Sequence, residues 1–407
     1  MSLYHLLDAV LCLAGLLLAL PCGYLLFLTL LSGRMKPPAY GEPKLRFDFV
    51  VPSHNEELGI ARTVQNLLAV DWPKDKFRVL VVADNCSDQT AAKAREAGAT
   101  VLERQDAVKR GKGYALDFAF NQSLADGQAD AVVVVDADTV VTKNLLQAFA
   151  ARLEAGAKAA QAHYGVLEEK SSWRTRLMRI AFSVFHGVRS NARERLGVSC
   201  GLRGNGMCFS HALIREVPHD AFSVVEDVEY GIRIGKKGHR VFYAYEAEVH
   251  GEMVAGEKQS RSQRRRWEGG RMALMKLHGW PLVGEALKRR SGMLLDLGLD
   301  VVVPPLSWLV APAVLGVFVA GVLSWLAGFA FWSGWVFAGC LTALSLYVLR
   351  GWMLSGVGPR GLLDLAYAPI YVLWKIKLMV SKPEEKKGEW VRTTREAETA
   401  RQEGGSQ

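Results

Sequence analysis

Residues 9–31, AVLCLAGLLLALPCGYLLFLTLL, carry no charge, and neither does anything between Asp300 and Arg350, a stretch of 49 residues. At ~1.5 Å per residue the first run is long enough to cross a ~30 Å hydrocarbon core, and the second has room for two such helices. A turn is expected near GFAFWSGW. A cleaved signal peptide would place positive charge before its apolar run and a small-residue cleavage site after it. Here Asp8 precedes the first run, and Arg34 and Lys36 follow it. The pattern predicts an uncleaved anchor over 1–34 with its C-terminal end in the cytoplasm, and two membrane helices within 293–350. Residues 362–380 are apolar but interrupted by Asp364, Lys375 and Lys377. A fourth span would place the basic tail 382–407 outside, so an interfacial or re-entrant helix over 361–381 is expected. The tail itself reads as cytoplasmic and partly disordered.

Between these blocks lie short β-branched runs, FDFVVP, FRVLVVAD, ATVLER and AVVVVDAD, alternating with helical patterns near 56–70, 87–97, 112–125 and 141–155. Such alternation predicts an α/β fold with a doubly wound, mostly parallel sheet. Ligands of these sheets bind at the carboxyl ends of the strands, where Asp84, Asp136 and Asp138 fall. A GxGxxG dinucleotide fingerprint is absent, and KRGKGYAL lacks the leading Gly of a phosphate-binding P-loop. The six cysteines include no CxxC pair, which argues against a zinc site or a disulfide framework. Trp173, Leu177, Ile180, Val184 and Val188 follow helical spacing among six arginines. They describe an amphipathic helix packed either on the core or on a membrane surface.

The net charge of +9 suits nucleic acid, an anionic membrane or a phosphorylated substrate, and does not choose among them. The acids are more specific. Asp136 and Asp138 follow four valines; a carboxylate pair there caps a helix or holds a divalent cation. Glu226 and Asp227 open a helical pattern; acids there complement the helix dipole, or serve as a general base beside an acceptor hydroxyl. Gly204, Asn205 and Gly206 form a turn or a surface that substrate approaches closely. Lys112 lies in a Gly-flanked loop, able to pair with a phosphate. The stretch KQSRSQRRRWEGGR puts six cations around Trp267.

In order, VPSHNEE, ADNCSDQT, GKGYAL, DAD, GNG, VED and QRRRW run between two membrane-anchoring regions. This set resembles the bacterial family 2 membrane glycosyltransferases of the cellulose synthase, hyaluronan synthase and poly-N-acetylglucosamine synthase type. The resemblance implies a GT-A domain over 45–255, followed by an interfacial helix region over 256–290. It implies a hexosyltransferase with a UDP-sugar donor of the glucose or N-acetylglucosamine type and Mg²⁺ or Mn²⁺ as cofactor. Pro52, His54, Glu56, Asp84, Lys112 and Asp136 would line the nucleotide-sugar pocket, joined by Gln263 and Arg266 on the diphosphate. Asp138, with Asp136, would hold the metal. Asp227 would be the base, beside Glu226, and Trp267 would underlie the acceptor near Gly204, Asn205 and Gly206. The family's Thr-Glu-Asp stands here as Val225-Glu226-Asp227, without the hydroxyl.

One displacement by the acceptor inverts the anomeric centre, with the base on one side and a stabilised leaving group on the other. The acceptor is expected to be a growing cell-surface polysaccharide, with a membrane lipid as the alternative. Three spans are few to wall a glycan pore, so a processive enzyme would need a homo-oligomer or an export partner. The ordered acids argue against nucleic acid as a partner. Lys258, Arg261 and Arg264 are expected to meet membrane lipid headgroups or solvent.

Overall fold

The computed structural model describes residues 3–33, 35–167, 172–252, 269–270 and 272–368. They fall into two compact units. One is helical and draws on 1–34, 171–196 and 299–381; the other holds the sheet and draws on 35–170 and 197–298.

The sheet has eight strands, β1 (Phe47–Ser53), β2 (Phe77–Asp84), β3 (Thr100–Arg104), β4 (Ala131–Val134), β5 (Thr139–Val141), β6 (Ala159–Leu167), β7 (Met207–Ser210) and β8 (Val241–Glu252), in the order β3-β2-β1-β4-β7-β6-β8-β5. The first four positions are parallel throughout. Beyond β4 the directions mix: β7 runs antiparallel to both β4 and β6, β6 parallels β8, and β5 closes the edge antiparallel. Alternation along each central strand feeds both faces. Phe49 and Val51 point to a core with Ile60, Val64 and Leu67 of the helix Ile60–Leu68. Val50, Val82 and Val134 point to the opposite core with Ala115, Leu116 and Phe120 of the helix Lys112–Asp126. Coverage on both faces is why these strands read as near-continuous apolar runs. The expected α/β, doubly wound sheet is present. Its antiparallel members were not legible, because MCFS at β7 is too short to stand out from the Gly-rich turn before it.

β4 ends at Val134, and Asp136 and Asp138 occupy the turn from which the chain crosses to the far edge as β5. A mid-sheet strand that leaves for the edge opens a crevice at its carboxyl end, the place where such sheets take ligands.

In the helical unit, Leu3–Leu31, Leu306–Ala327 and Trp332–Ser355 are long and apolar enough to cross a membrane. Their crossings use small residues, as bilayer helices do when backbones approach closely. A Cβ on Gly15 would lie 2.9 Å from Val336, on Gly316 2.4 Å from the Phe337 ring, and on Gly351 2.1 Å from Val184. Asp8 is a buried cap: its two carboxylate oxygens accept the Trp332 and Ser333 N–H groups at 3.0 Å each. Those N–H groups are otherwise orphaned at a helix start, and the macrodipole favours an anion there.

The 171–196 segment, which the sequence groups with the sheet domain, packs in this helical unit instead. Its positions Leu177, Ile180, Val184 and Val188 bury against Cys22, Leu25, Leu344 and Tyr347. A single π-helical turn over Ser183–Val188 joins its two α-helical halves. Two arginines on this segment are buried and compensated. Arg189 and Arg193 each reach Asp300 at 2.9 Å, and each also donates one hydrogen bond to a tyrosine, Tyr347 and Tyr24 respectively. Arg350 is tolerated near a helix end because its guanidinium donates to the Ser32 hydroxyl and carbonyl. All six cysteines are free thiols.

Candidate functional site

The carboxyl edge of the parallel half gathers the predicted nucleotide residues. Pro52 is buried inside β1, opposite Val82. One residue past β1, the His54 ring Nδ1 lies 2.8 Å from the Asp84 carbonyl and donates to it. The Glu56 N–H donates to the Thr90 hydroxyl at 2.7 Å, fastening this loop to the start of the helix Thr90–Glu96 that follows β2. Asn55 and Asn85 take positive φ, 57° and 51°, and their side-chain oxygens accept the Ser87 and Asp106 N–H groups. Asp84 ends β2 fully buried. Its Oδ1 pairs with Arg104 at 2.6 Å, while its Oδ2 takes no hydrogen bond from the described residues. A buried carboxylate oxygen left open is costly, and a ligand donor would satisfy it.

A second cluster is centred on Lys112. Its ammonium lies 2.5 Å from Asp136 Oδ1, 2.5 Å from the Gly204 carbonyl and 3.9 Å from Glu226. Gly204, at φ +79°, brings the backbone against the base candidate: a Cβ there would be 3.3 Å from Asp227 Oδ2. Residues separated by up to 115 positions in the chain, 227 − 112, thus meet in one place.

Burial works against the Lys112 ammonium, but the charges of Asp136, Glu226 and Asp227 outweigh it and hold Lys112 above the usual lysine range. Burial pushes the Glu226 carboxyl up to about 8 against the pull of Lys112. Burial also raises Asp227, opposed by the Val228 N–H and the charges of Lys112 and Arg203. One ammonium among these acids leaves an excess of negative charge, which a divalent cation complements.

The glycine turn divides by role. Asn205 is fully buried: its Oδ1 accepts the Asp136 N–H at 3.2 Å and its Nδ2 donates to Thr139 at 2.7 Å. It braces the Asp-x-Asp turn. Gly206 is glycine for packing, since a Cβ at its φ of +68° would meet Val249 at 2.7 Å. Of the three, Gly204 is the one beside Asp227. Val225, which replaces the expected Thr, packs its Cγ1 within 2.7 Å of where a Cβ on Gly270 would stand. Its methyls therefore fill a contact with the residue pair that follows the arginine-rich stretch. Gln263, Arg266 and Trp267 lie outside the described residues.

Two functional candidates carry no motif. Arg104, ending β3 beside β2, was findable as a cation at the same sheet edge as Asp84. Tyr164 was not. A register break between Ala162 and His163 re-aims the end of β6, and the Tyr164 hydroxyl comes within 3.0 Å of a Cβ built on Gly251, which pairs with Thr139. Burial and the carboxylates of Asp136 and Asp138 raise that hydroxyl far above its ordinary value.

Residues 43–270, more than half of the chain, match the family described as Glycosyltransferase like family 2, and the chain belongs to it. Its sheet unit has a GT-A fold. The probable glycosyltransferase YdaM of Bacillus subtilis (strain 168) is 25% identical over 232 residues, covering 54% of each chain. The cellulose synthase catalytic subunit (UDP-forming) of Pseudomonas fluorescens (strain SBW25) is 26% identical over 256 residues, 59% of this chain and 33% of that protein. The chain thus spans about half, or less, of the length of these curated relatives. Among solved structures, the mannosyltransferase PcManGT from Pyrobaculum calidifontis, in complex with GDP-Man and Mn²⁺, shares the fold. It has a TM-score of 0.52 at 18% identity, covering 92% of this chain and 99% of that one.

Proposed function

We propose that the protein is an inverting hexosyltransferase that moves glucose or N-acetylglucosamine from a UDP-sugar to a growing cell-surface polysaccharide. The observation that carries this reading is the convergence of Asp136, Lys112, Gly204, Glu226 and Asp227 at the sheet's carboxyl edge. Asp84 Oδ2, open and buried, receives a donor N–H or hydroxyl of the nucleoside, with Arg104 holding the carboxylate in place. Lys112 orients Asp136 and tempers its charge. Asp227 takes the acceptor hydroxyl's proton from the face opposite the leaving diphosphate, and Arg266 pairs with that diphosphate as it departs. Glu226 keeps its proton near neutrality and so leaves the base role to its neighbour.

Asp136 and Asp138 are hard oxygen donors beside an excess of acid, a set that fits Mg²⁺ or Mn²⁺; they would hold the ion, which would neutralise the diphosphate. Among the described residues no group of three ligands converges on one point, so the donor would supply the remaining oxygens.

We place the protein in the inner membrane, with 1–34 as anchor, the sheet unit in the cytoplasm and 256–290 at the interface. The three membrane-length helices among the described residues favour a second reading as well: transfer of a single sugar to a membrane lipid needs no pore. Asp227→Asn tests the chemistry. The variant should bind UDP within about twofold of wild type by calorimetry while transfer falls by at least ~10²-fold, the range of a lost general base. Near-normal turnover would remove Asp227 from the role.

A further inference from the structure

An aromatic ladder leads from the nucleotide end of the site to the loop before the base. The Arg104 guanidinium, which holds Asp84, lies 5.9 Å from the Tyr114 ring centroid. Tyr114 stacks face to face on Phe222, with centroids 4.2 Å apart and planes within 7°. Phe222 meets His219 edge-on at 6.3 Å, and His219 packs at 4.8 Å on Tyr230 of the helix that begins with Glu226 and Asp227. Gly113 makes the stack close: a Cβ there would lie 2.3 Å from the Ala221 carbonyl and 3.1 Å from Phe222 Cα. The Phe222 ring is therefore fixed on one face and one edge, yet the residue remains 41% exposed, and Val224 beside it 60%. A lone exposed apolar residue is ordinary. A ring locked by a stack and a close backbone approach, four residues ahead of the catalytic acids, is a prepared surface.

We propose that Phe222 is the acceptor platform, its outer face receiving the terminal pyranose of a glycan. The C–H groups on one face of a pyranose carry partial positive charge and suit the negative face of an aromatic ring. The exposed apolar stretch is short, Phe222 and Val224, with exposed Ser223 between them and the charged Asp220–Arg233 ion pair close by in the chain. One pyranose face covers one ring, whereas an acyl chain needs a longer apolar path. This inference rests on the proposed sugar transfer.

The test uses the full chain in detergent with a UDP-sugar and β-1,4-linked tetramers of glucose or N-acetylglucosamine as acceptors. Phe222→Leu keeps apolar packing on Tyr114 but removes the flat face. Its acceptor KM should rise about tenfold, the scale of one aromatic stack, with kcat changed less than twofold and UDP affinity and Tm as in wild type. Phe222→Trp should restore the KM. An unchanged acceptor KM in Phe222→Leu overturns the platform, as does an equal loss of UDP affinity, which marks a structural role. A KM rise confined to a diacylglycerol acceptor in micelles overturns the glycan assignment. If wild type transfers sugar to no acceptor and releases no UDP, the transfer reading fails first and the platform falls with it.

Discussion

Glu226 and Asp227 are adjacent, both raised by burial, and share one cation, Lys112. Two like carboxyls beside one ammonium do not ionise alike. Glu226, pushed to about 8, holds its proton at pH 7, while Asp227, braced by the Val228 N–H and by Arg203, is the one to lose it. A base works only when deprotonated, so activity should fall as pH drops through the raised Asp227 value. The acid limb of kcat/KM should therefore stand above the ~3.9 of a free aspartate. Glu226→Gln should keep that limb. A limb at or below ~3.9, or its loss in Glu226→Gln alone, would contradict the assignment. The resemblance already gave the base role to Asp227; the raised Glu226 was not legible, because it depends on burial and on Lys112, 114 positions earlier in the chain (226 − 112).

Among elements, the helix that carries the proposed base is held at its start by an apolar contact. Val225, its N-cap residue, packs against Gly270, where a Cβ would approach to 2.7 Å. Gly270→Ala should push Val225 and tilt the carboxylates, and displacements near 1 Å can cost ~10²-fold in rate. Val225→Ala removes the obstructing methyls, so the double variant should recover most of the lost kcat. A normal kcat for Gly270→Ala, or no recovery in the double variant, would show that the contact does not set the base. Element-level structure was partly legible. The βα alternation announced the parallel half through period and β-branched runs, since both faces of those strands are covered. The bulge that turns Tyr164 into the site, and the antiparallel β7, depend on long-range pairing that leaves little local trace.

At the scale of the whole molecule, two uncharged runs and an ordered set of acids were enough to read the membrane-length helices and the α/β unit. The placement of 171–196 in the helical unit was not. Its arginines look solvated in sequence, yet Arg189 and Arg193 share the carboxylate of Asp300, more than 100 positions away (300 − 193 = 107). Asp8 is similar, a lone flanking acid that is in fact the cap of a helix starting at Trp332. The motifs did not show that the Asn205 amide braces the Asp136 turn or that a Cβ on Gly206 would meet Val249. Sugar transfer is the central claim, and it is tested by incubating membranes that contain the protein with labelled UDP-glucose and UDP-N-acetylglucosamine, with and without EDTA. Label should enter a glycan or lipid product from one donor, stop with chelator and return with Mg²⁺ or Mn²⁺. Incorporation from neither donor would contradict hexosyl transfer, and undiminished incorporation in EDTA would contradict the metal on Asp136 and Asp138.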